Sequence, residues 1–278
     1  MKKNLLYTFL LALALSVSSC LDKYPENAIL ADDAITTIDE ADQAVIGIYS
    51  SFLSGALYSG YLTLLPDIQT DLVYAVNGYT NTYGDIWRWN DILATNSQIE
   101  SVYAALYTVI GRCNFLLDNA ENMRKKMTDD DALDRLDVYC GEAYFARALA
   151  YSELIKQFCK AYESDADAQN ELGVVLRTHY YSDEPIKRAS LYDSYQQVLS
   201  DLELAEKALA LGDDYDIAVD GYMYNSTYFN EYTVCALRAR IALYMKKYDE
   251  AIKYATKVID SGHYFLSSAT QLYDSQYS

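Results

Sequence analysis

Apolar residues return at helical spacing through several stretches of the chain and lose that rhythm between them. Ile99, Val102, Leu106, Val109, Ile110, Cys113 and Leu117 form one stripe, and Leu136, Tyr139, Ala143, Ala146, Ala150 and Leu154 form a second. A period near 3.6 puts each set on one helix face, so both stretches predict amphipathic helices that bury that face against a neighbour. Thr128-Asp129-Asp130-Asp131 precedes the second stripe and supplies side-chain oxygen and negative charge where the first N–H groups of a helix need them. Leu191, Tyr195, Val198, Leu202 and Ala205 predict a third long helix, running to about residue 211. Ahead of these, Asp39-Glu40 opens a helix that carries Ala44, Ile48 and Phe52 on one face. The stretches 231–246 and 248–261 predict a helical hairpin, broken at Lys246-Lys247 and stopped at Gly262.

Three stretches lack periodicity. Residues 54–92 are rich in Gly, Asn, Asp and aromatics, with only Leu62 to Leu65 apolar, and so predict a long irregular segment suited to function. Residues 160–190 and the Tyr-rich 212–230 are the other two. Composition then narrows the fold class. Gly and Pro number only 11 and 3 in 278 residues, too few turn-formers for a sandwich or barrel, so the expectation is all-α. Ala146-Arg147 and Tyr151 are matched 93 residues later by Ala239-Arg240 and Tyr244. Small residues at Ala239, Ala251 and Ala255, with Tyr248-Asp249-Glu250-Ala251 opening the second helix, resemble a tetratricopeptide hairpin. Arrays of such hairpins with long inserted loops commonly present a concave binding surface.

The first residues read as an address. Lys2 and Lys3 precede an apolar run from Leu5 to Leu15, and Ser16-Val17-Ser18-Ser19-Cys20 follows at once. That is an export signal over residues 1–19, too short to cross a bilayer as a helix. Small residues before a Cys form a lipobox, which predicts acylation of Cys20, a membrane-anchored mature chain and an extended tether over 20–34. Removing residues 1–19 takes away two lysines and no acids.

Charge and motif content exclude several chemistries. The net charge of −18 repels a phosphate backbone, so no nucleic-acid partner is expected. His179 and His263 are the only histidines, which leaves no His-based zinc site, and no other metal or cofactor is expected. Asp129, Asp130, Asp131 and Asp134 superficially resemble a calcium loop, but the sixth position lacks Gly and Cys140 occupies the twelfth, so a helix cap is the better reading. Phosphate-binding loops, dinucleotide fingerprints and nucleophile elbows are absent, and nothing marks two carboxylates as a catalytic pair, so the chain is not expected to be an enzyme. Cys113, Cys140, Cys159 and Cys235 fall among apolar neighbours in helical patterns, as buried thiols do, and no disulfide framework is indicated.

Taken in order along the chain, several segments resemble the SusD/RagB family. They are the lipobox Cys20, the helix Asp39-Glu40-Ala41 through Gly47-Ile48-Tyr49, the helix Gly141 to Tyr151 (GEAYFARALAY), and Gly173-Val174-Val175-Leu176, which lacks the family's Pro. Arg188-Ala189-Ser190-Leu191 to Tyr195 with Asp201-Leu202, and Tyr248 through Ile259 to Leu266, complete the set. The resemblance covers nearly the whole mature chain. It implies a helical-repeat domain over 35–278 in a lipid-anchored protein of the outer membrane. Such a protein lies at the cell surface over a TonB-dependent (SusC-like) transporter and captures a glycan or an oligopeptide for import. Family members are about twice this long, which implies that the C-terminal half of the fold is absent here. A lipid-anchored tetratricopeptide scaffold for envelope proteins is the alternative.

Aromatic and polar residues concentrate in two of the irregular segments. Tyr79, Asn81, Tyr83, Asp85, Trp87 and Trp89 form one cluster, and Tyr222, Tyr224, Asn225 and Tyr228 the other. Flat rings stack on the apolar faces of pyranoses while amides and carboxylates take hydroxyls, so both are candidate ligand surfaces. A second reading of Trp87 and Trp89 is open, in which they plug the first helix pair.

Overall fold

A computed structural model describes residues 34–76, 83–90, 92–183, 185–210, 228–264, 266 and 268. The described residues form nine helices and no strands: α1 (Ile38–Phe52), α2 (Tyr61–Gln69), α3 (Gly84–Trp87), α4 (Ser97–Lys126), α5 (Asp130–Phe158), α6 (Asp165–Asn170), α7 (Leu191–Leu209), α8 (Glu231–Tyr244) and α9 (Tyr248–Asp260). No helix among them is long and apolar enough to cross a membrane. The signal, Cys20 and nearly all of the tether lie outside the described residues.

Helix starts follow their capping chemistry. Thr37 and Glu40 close a reciprocal capping box at α1, Asn96 caps α4, and Asp129 caps α5 by accepting from the Asp131 N–H at 3.2 Å. The acidic run before α5 is thus a cap, and no cluster among the described residues could hold a metal ion. Gly262 adopts φ +70° just past α9, the left-handed stop that its sequence position suggests.

α5 is the spine. It lies against α4, α7, α1 and α8, and Leu136, Ala143, Ala146, Ala150, Tyr151 and Leu154 are fully enclosed. The alanines let neighbouring backbones approach, and the larger residues fill the space between. α8 and α9 form the expected hairpin and dock on α7 through α8. The two copies at an offset of 93 residues differ in surroundings. Tyr151 is buried and Tyr244 exposed, and Arg147 is buried whereas Arg240 reaches Glu153 from the surface. α5 has helices on several sides, while α8 has fewer neighbours.

Two segments without periodicity contain helix after all. Leu62, Leu65 and Ile68 are buried at three-residue spacing in α2, a helix hidden from pattern reading because it is short and carries Pro66. α6 is a six-residue helix capped by Ser164. Cys113, Cys140 and Cys235 are buried thiols and Cys159 is half-buried; all four are free. Burial pushes the Cys140 thiol up to about 11.

Between α6 and α7 the chain runs as an extended strap over α4 and α5. Its backbone has little ladder to pair with, so distant side chains satisfy it. The Tyr107 hydroxyl donates to the Val175 carbonyl at 2.8 Å and accepts from the Val175 N–H at 3.1 Å. Two residues on, the Tyr151 hydroxyl does the same to both groups of Arg177, each at 2.7 Å. Asn114 donates to the carbonyls of Arg177 and His179, and Asp118 accepts from the Tyr180 N–H. A Cβ at Gly173 would lie 2.0 Å from Ser194 Oγ, so only glycine lets the strap pass this close to α7.

Candidate functional site

The loop between α2 and α4 is held in an unusual backbone. Asp71, Tyr83 and Trp89 all have φ between 55° and 60°, a left-handed conformation that non-glycine residues adopt at some cost. Ile86, buried in the core, anchors the single turn α3. Around that anchor the two indoles are fixed by their polar ends. Trp87 donates Nε1–H to Asp71 Oδ1 at 3.2 Å and rests half-buried against the core. Trp89 donates Nε1–H to the Gln69 carbonyl at 3.1 Å, and it is 64% exposed. With its N–H tied back, Trp89 offers a ring face to solvent without free rotation.

Tyr83 packs edge to face on Tyr61, with ring centroids 6.3 Å apart, and burial followed by the neighbouring Tyr61 raises its phenol above the ordinary range. Asp85 is exposed and pairs with Arg88 at 3.4 Å. The structure thus places the two tryptophans differently: Trp87 packs partly against the core, and Trp89 faces outward. Beside this loop a small cavity of about 160 Å³ is lined by Tyr61, Leu65, Gln69, Ile86, Ile92 and Phe158.

Tyr228 lies elsewhere. It meets Tyr49 edge to face at 5.3 Å and lines an open groove of about 550 Å³ with Tyr49, Phe52, Leu53, Tyr58 and Phe229. None of its lining residues is shared with the cavity by the tryptophans. The groove's polar ends are turned inward. Tyr49 donates its hydroxyl to the buried Glu142 of α5 and accepts from the Phe229 N–H at 2.7 Å. Tyr58 donates to Glu153 at 3.4 Å, and burial, then the charge of Glu153, pushes its phenol up.

Of the ten aromatic and polar candidates, the structure thus gathers Tyr83, Asp85, Trp87 and Trp89 on one loop and puts Tyr228 on another surface. Tyr79, Asn81, Tyr222, Tyr224 and Asn225 lie outside the described residues. Sequence reading missed Asp71 and Gln69, which orient the indoles, and the aromatic wall Tyr49, Phe52, Tyr58 and Phe229. The spacing of Tyr49 and Phe52, three apart on α1, was the one available signal for that wall.

Comparison with known proteins places this geometry in context. Residues 21–243 match the family profile SusD-like 3, described as starch-binding associating with outer membrane. The chain is 26% identical over 283 residues to the SusD-like protein P38 of Formosa agariphila, covering 96% of this chain and 47% of that protein. It therefore spans about half the length of that curated relative. Among solved structures it resembles a SusD superfamily protein from Bacteroides fragilis with a TM-score of 0.70 at 21% identity, over 88% of this chain and 54% of that one. A SusD superfamily protein from Bacteroides thetaiotaomicron gives 0.69 at 24% identity, over 85% and 49%. A laminarin binding SusD-like protein gives 0.58 at 18% identity, over 81% and 44%. At these identities the structures establish the fold.

Proposed function

The chain belongs to the SusD-like family of non-catalytic, outer-membrane-associated binding proteins, and from that premise we propose that it captures a glycan at the cell surface on the loop bearing Trp87 and Trp89. The observation that carries the reading is the outward ring of Trp89, its N–H fixed to the Gln69 carbonyl on a strained loop. A stacking ring held in one orientation loses little conformational entropy on binding a pyranose. Asp85 and Arg88 beside it supply hydroxyl partners of both polarities.

Two further parts of the reading rest on the sequence. Acylation of Cys20 would anchor the chain through its tether, and a TonB-dependent transporter is the partner to which captured glycan would pass. The family description names starch, and one structural relative is described as laminarin binding, so neutral glucans are the first ligands to try.

Affinity electrophoresis in gels containing starch or laminarin tests the proposal. Trp89→Ala should lose on the order of ten-fold in affinity, about 1.4 kcal/mol, with its helical circular dichroism intact. Unchanged retention of Trp89→Ala, or no retention of the unmodified protein by any neutral polysaccharide, would overturn it.

A further inference from the structure

We propose that the strap between α6 and α7 carries a second recognition site, specific for a uronic acid residue, separate from the tryptophan loop. A cleft of about 310 Å³ opens between α4 and the strap, lined by Tyr107, Asn114, Arg177, His179, Tyr181 and Ser182 among others. Its distinguishing feature is Arg177. The guanidinium is tied only through Nη1, which donates to the Ser182 carbonyl at 3.3 Å, and among the described residues it forms no ion pair. In a chain of net charge −18, a half-buried arginine with no carboxylate partner there is a conspicuous local excess of positive charge.

Asp118 of α4 has both its oxygens engaged, one by His179 Nδ1 at 2.9 Å and the other by the Tyr180 N–H at 2.8 Å, and Asp183, which follows Ser182 on the strap, is exposed and forms no ion pair with Arg177. Asn114 is likewise spent: it donates to the strap and accepts from Arg147 at 2.7 Å. Arg177 therefore keeps its Nε and Nη2 donors to spare, and it is the one arginine that lines the cleft. Its planar fork matches a carboxylate with two parallel hydrogen bonds, a fit that a neutral hydroxyl does not offer.

The aromatic side of the cleft suits the ring that would carry that carboxylate. Tyr181 is 72% exposed and leans edge to face on Tyr180 at 4.7 Å, and Tyr180 is braced in turn by Phe115 at 5.1 Å. A braced ring beside an unpaired guanidinium offers a face for a pyranose and a fork for its carboxylate. Preorganisation follows from the backbone: Tyr107, Tyr151, Asn114 and Asp118 hold the strap at Val175, Arg177, His179 and Tyr180. The chain's overall negative charge opposes an acidic sugar only weakly at contact, because charges more than ~8 Å away are screened at physiological salt.

The cleft is distinct from the cavity beside the tryptophans: the two share no lining residue, and along α4 their nearest lining residues, Val102 and Tyr107, are five positions apart, roughly 7.5 Å at ~1.5 Å per residue.

Titration of the intact protein with trigalacturonate, by calorimetry, is the test, with its neutral methyl ester as the control. Trigalacturonate should bind and the ester should bind at least ~10-fold more weakly. Arg177→Gln should lose about ten-fold or more for the acid, and Arg177→Lys should recover only part of this because a point charge lacks the fork. Tyr181→Ala should lose several-fold, and none of these variants should change retention by neutral glucans. Equal binding of acid and ester, no binding of the acid, or full binding by folded Arg177→Gln would overturn the proposal. So would loss of uronate binding in Trp89→Ala, which would move the ligand to the other loop. Should Arg177→Gln fail to fold, Tyr181→Ala and the ester control still decide.

Discussion

Arg147 and Asp201 show what a single buried pair contributes and why sequence alone does not reveal it. The two lie on α5 and α7 and are 5% and 0% exposed, and they meet fork to fork through Nε to Oδ2 at 2.9 Å and Nη2 to Oδ1 at 2.6 Å. Burial pushes the Asp201 carboxyl upward, and the hydrogen bonds of Arg147 and Gln197 pull it back. Arg147 does more than pair, since its Nη1 also donates to Asn114 and to the Thr178 carbonyl of the strap. Asp201→Asn should therefore destabilise the fold by about 3–5 kcal/mol, because it leaves a buried guanidinium without its counter-ion. Chemical denaturation would measure it. The double variant Arg147→Met with Asp201→Leu should recover only part of the loss, since Asn114 and the Thr178 carbonyl lose their donor; full recovery would mean that the strap does not depend on Arg147. Both residues stand in segments that resemble the family's, yet no periodicity links positions 54 apart.

At the scale of elements, legibility divides along the source of each segment's hydrogen bonds. α4, α5 and α7 satisfy their backbones internally, so their only demand on the rest of the molecule is an apolar face, and that face is written as a 3.6-residue rhythm. Their caps at Asn96, Asp129 and Ser190 are local as well. The strap is the opposite case. Its partners Tyr107, Asn114, Tyr151 and Asp118 come from residues tens of positions away, so its stretch of sequence records nothing of what holds it. The tryptophan loop was half legible: its aromatic content is plain in the sequence, but the acceptors Asp71 and Gln69 that aim the rings depend on how the loop folds back. Tyr151 gives the strap its sharpest test. Tyr151→Phe keeps the ring in the core and removes one oxygen, leaving the Arg177 N–H without its partner and its carbonyl with Asn114 alone. The expected cost is about 1–3 kcal/mol, the penalty for an unsatisfied buried group. Hydrogen exchange should speed up at the Arg177 amide more than at amides within α5. Equal protection in both proteins would show that the strap is held without the tyrosine clasp.

For the whole molecule, the core is unevenly shared, and its weakest share is at α9. That helix buries only Tyr254, on which the Arg238 guanidinium lies 4.5 Å from the ring centroid. Glu206 of α7 joins the group by accepting from Arg238 of α8 and Lys257 of α9, so one carboxylate ties three helices at the partly wet end of the array. Ala251, Ala255 and Val258 are half-buried, and the rest of α9's apolar content faces out: Ile252 is 64% and Ile259 71% exposed, with Leu243 of α8 and Tyr248 exposed near them in sequence. Each isoleucine fully buried would contribute roughly 1.5–3 kcal/mol, so their exposure forgoes a stabilisation that the amphipathic pattern of the hairpin otherwise invites. Apolar surface of this kind binds hydrophobic dyes and promotes self-association. Changing Ile252 and Ile259 together to lysine should therefore lower dye fluorescence and shift size-exclusion profiles toward the monomer. The melting midpoint should hold, because surface substitutions away from packed contacts fall within about 0.5 kcal/mol. A double variant that melts earlier would show that these isoleucines already pack in solution, and unchanged dye binding would move the sticky surface to another part of the molecule.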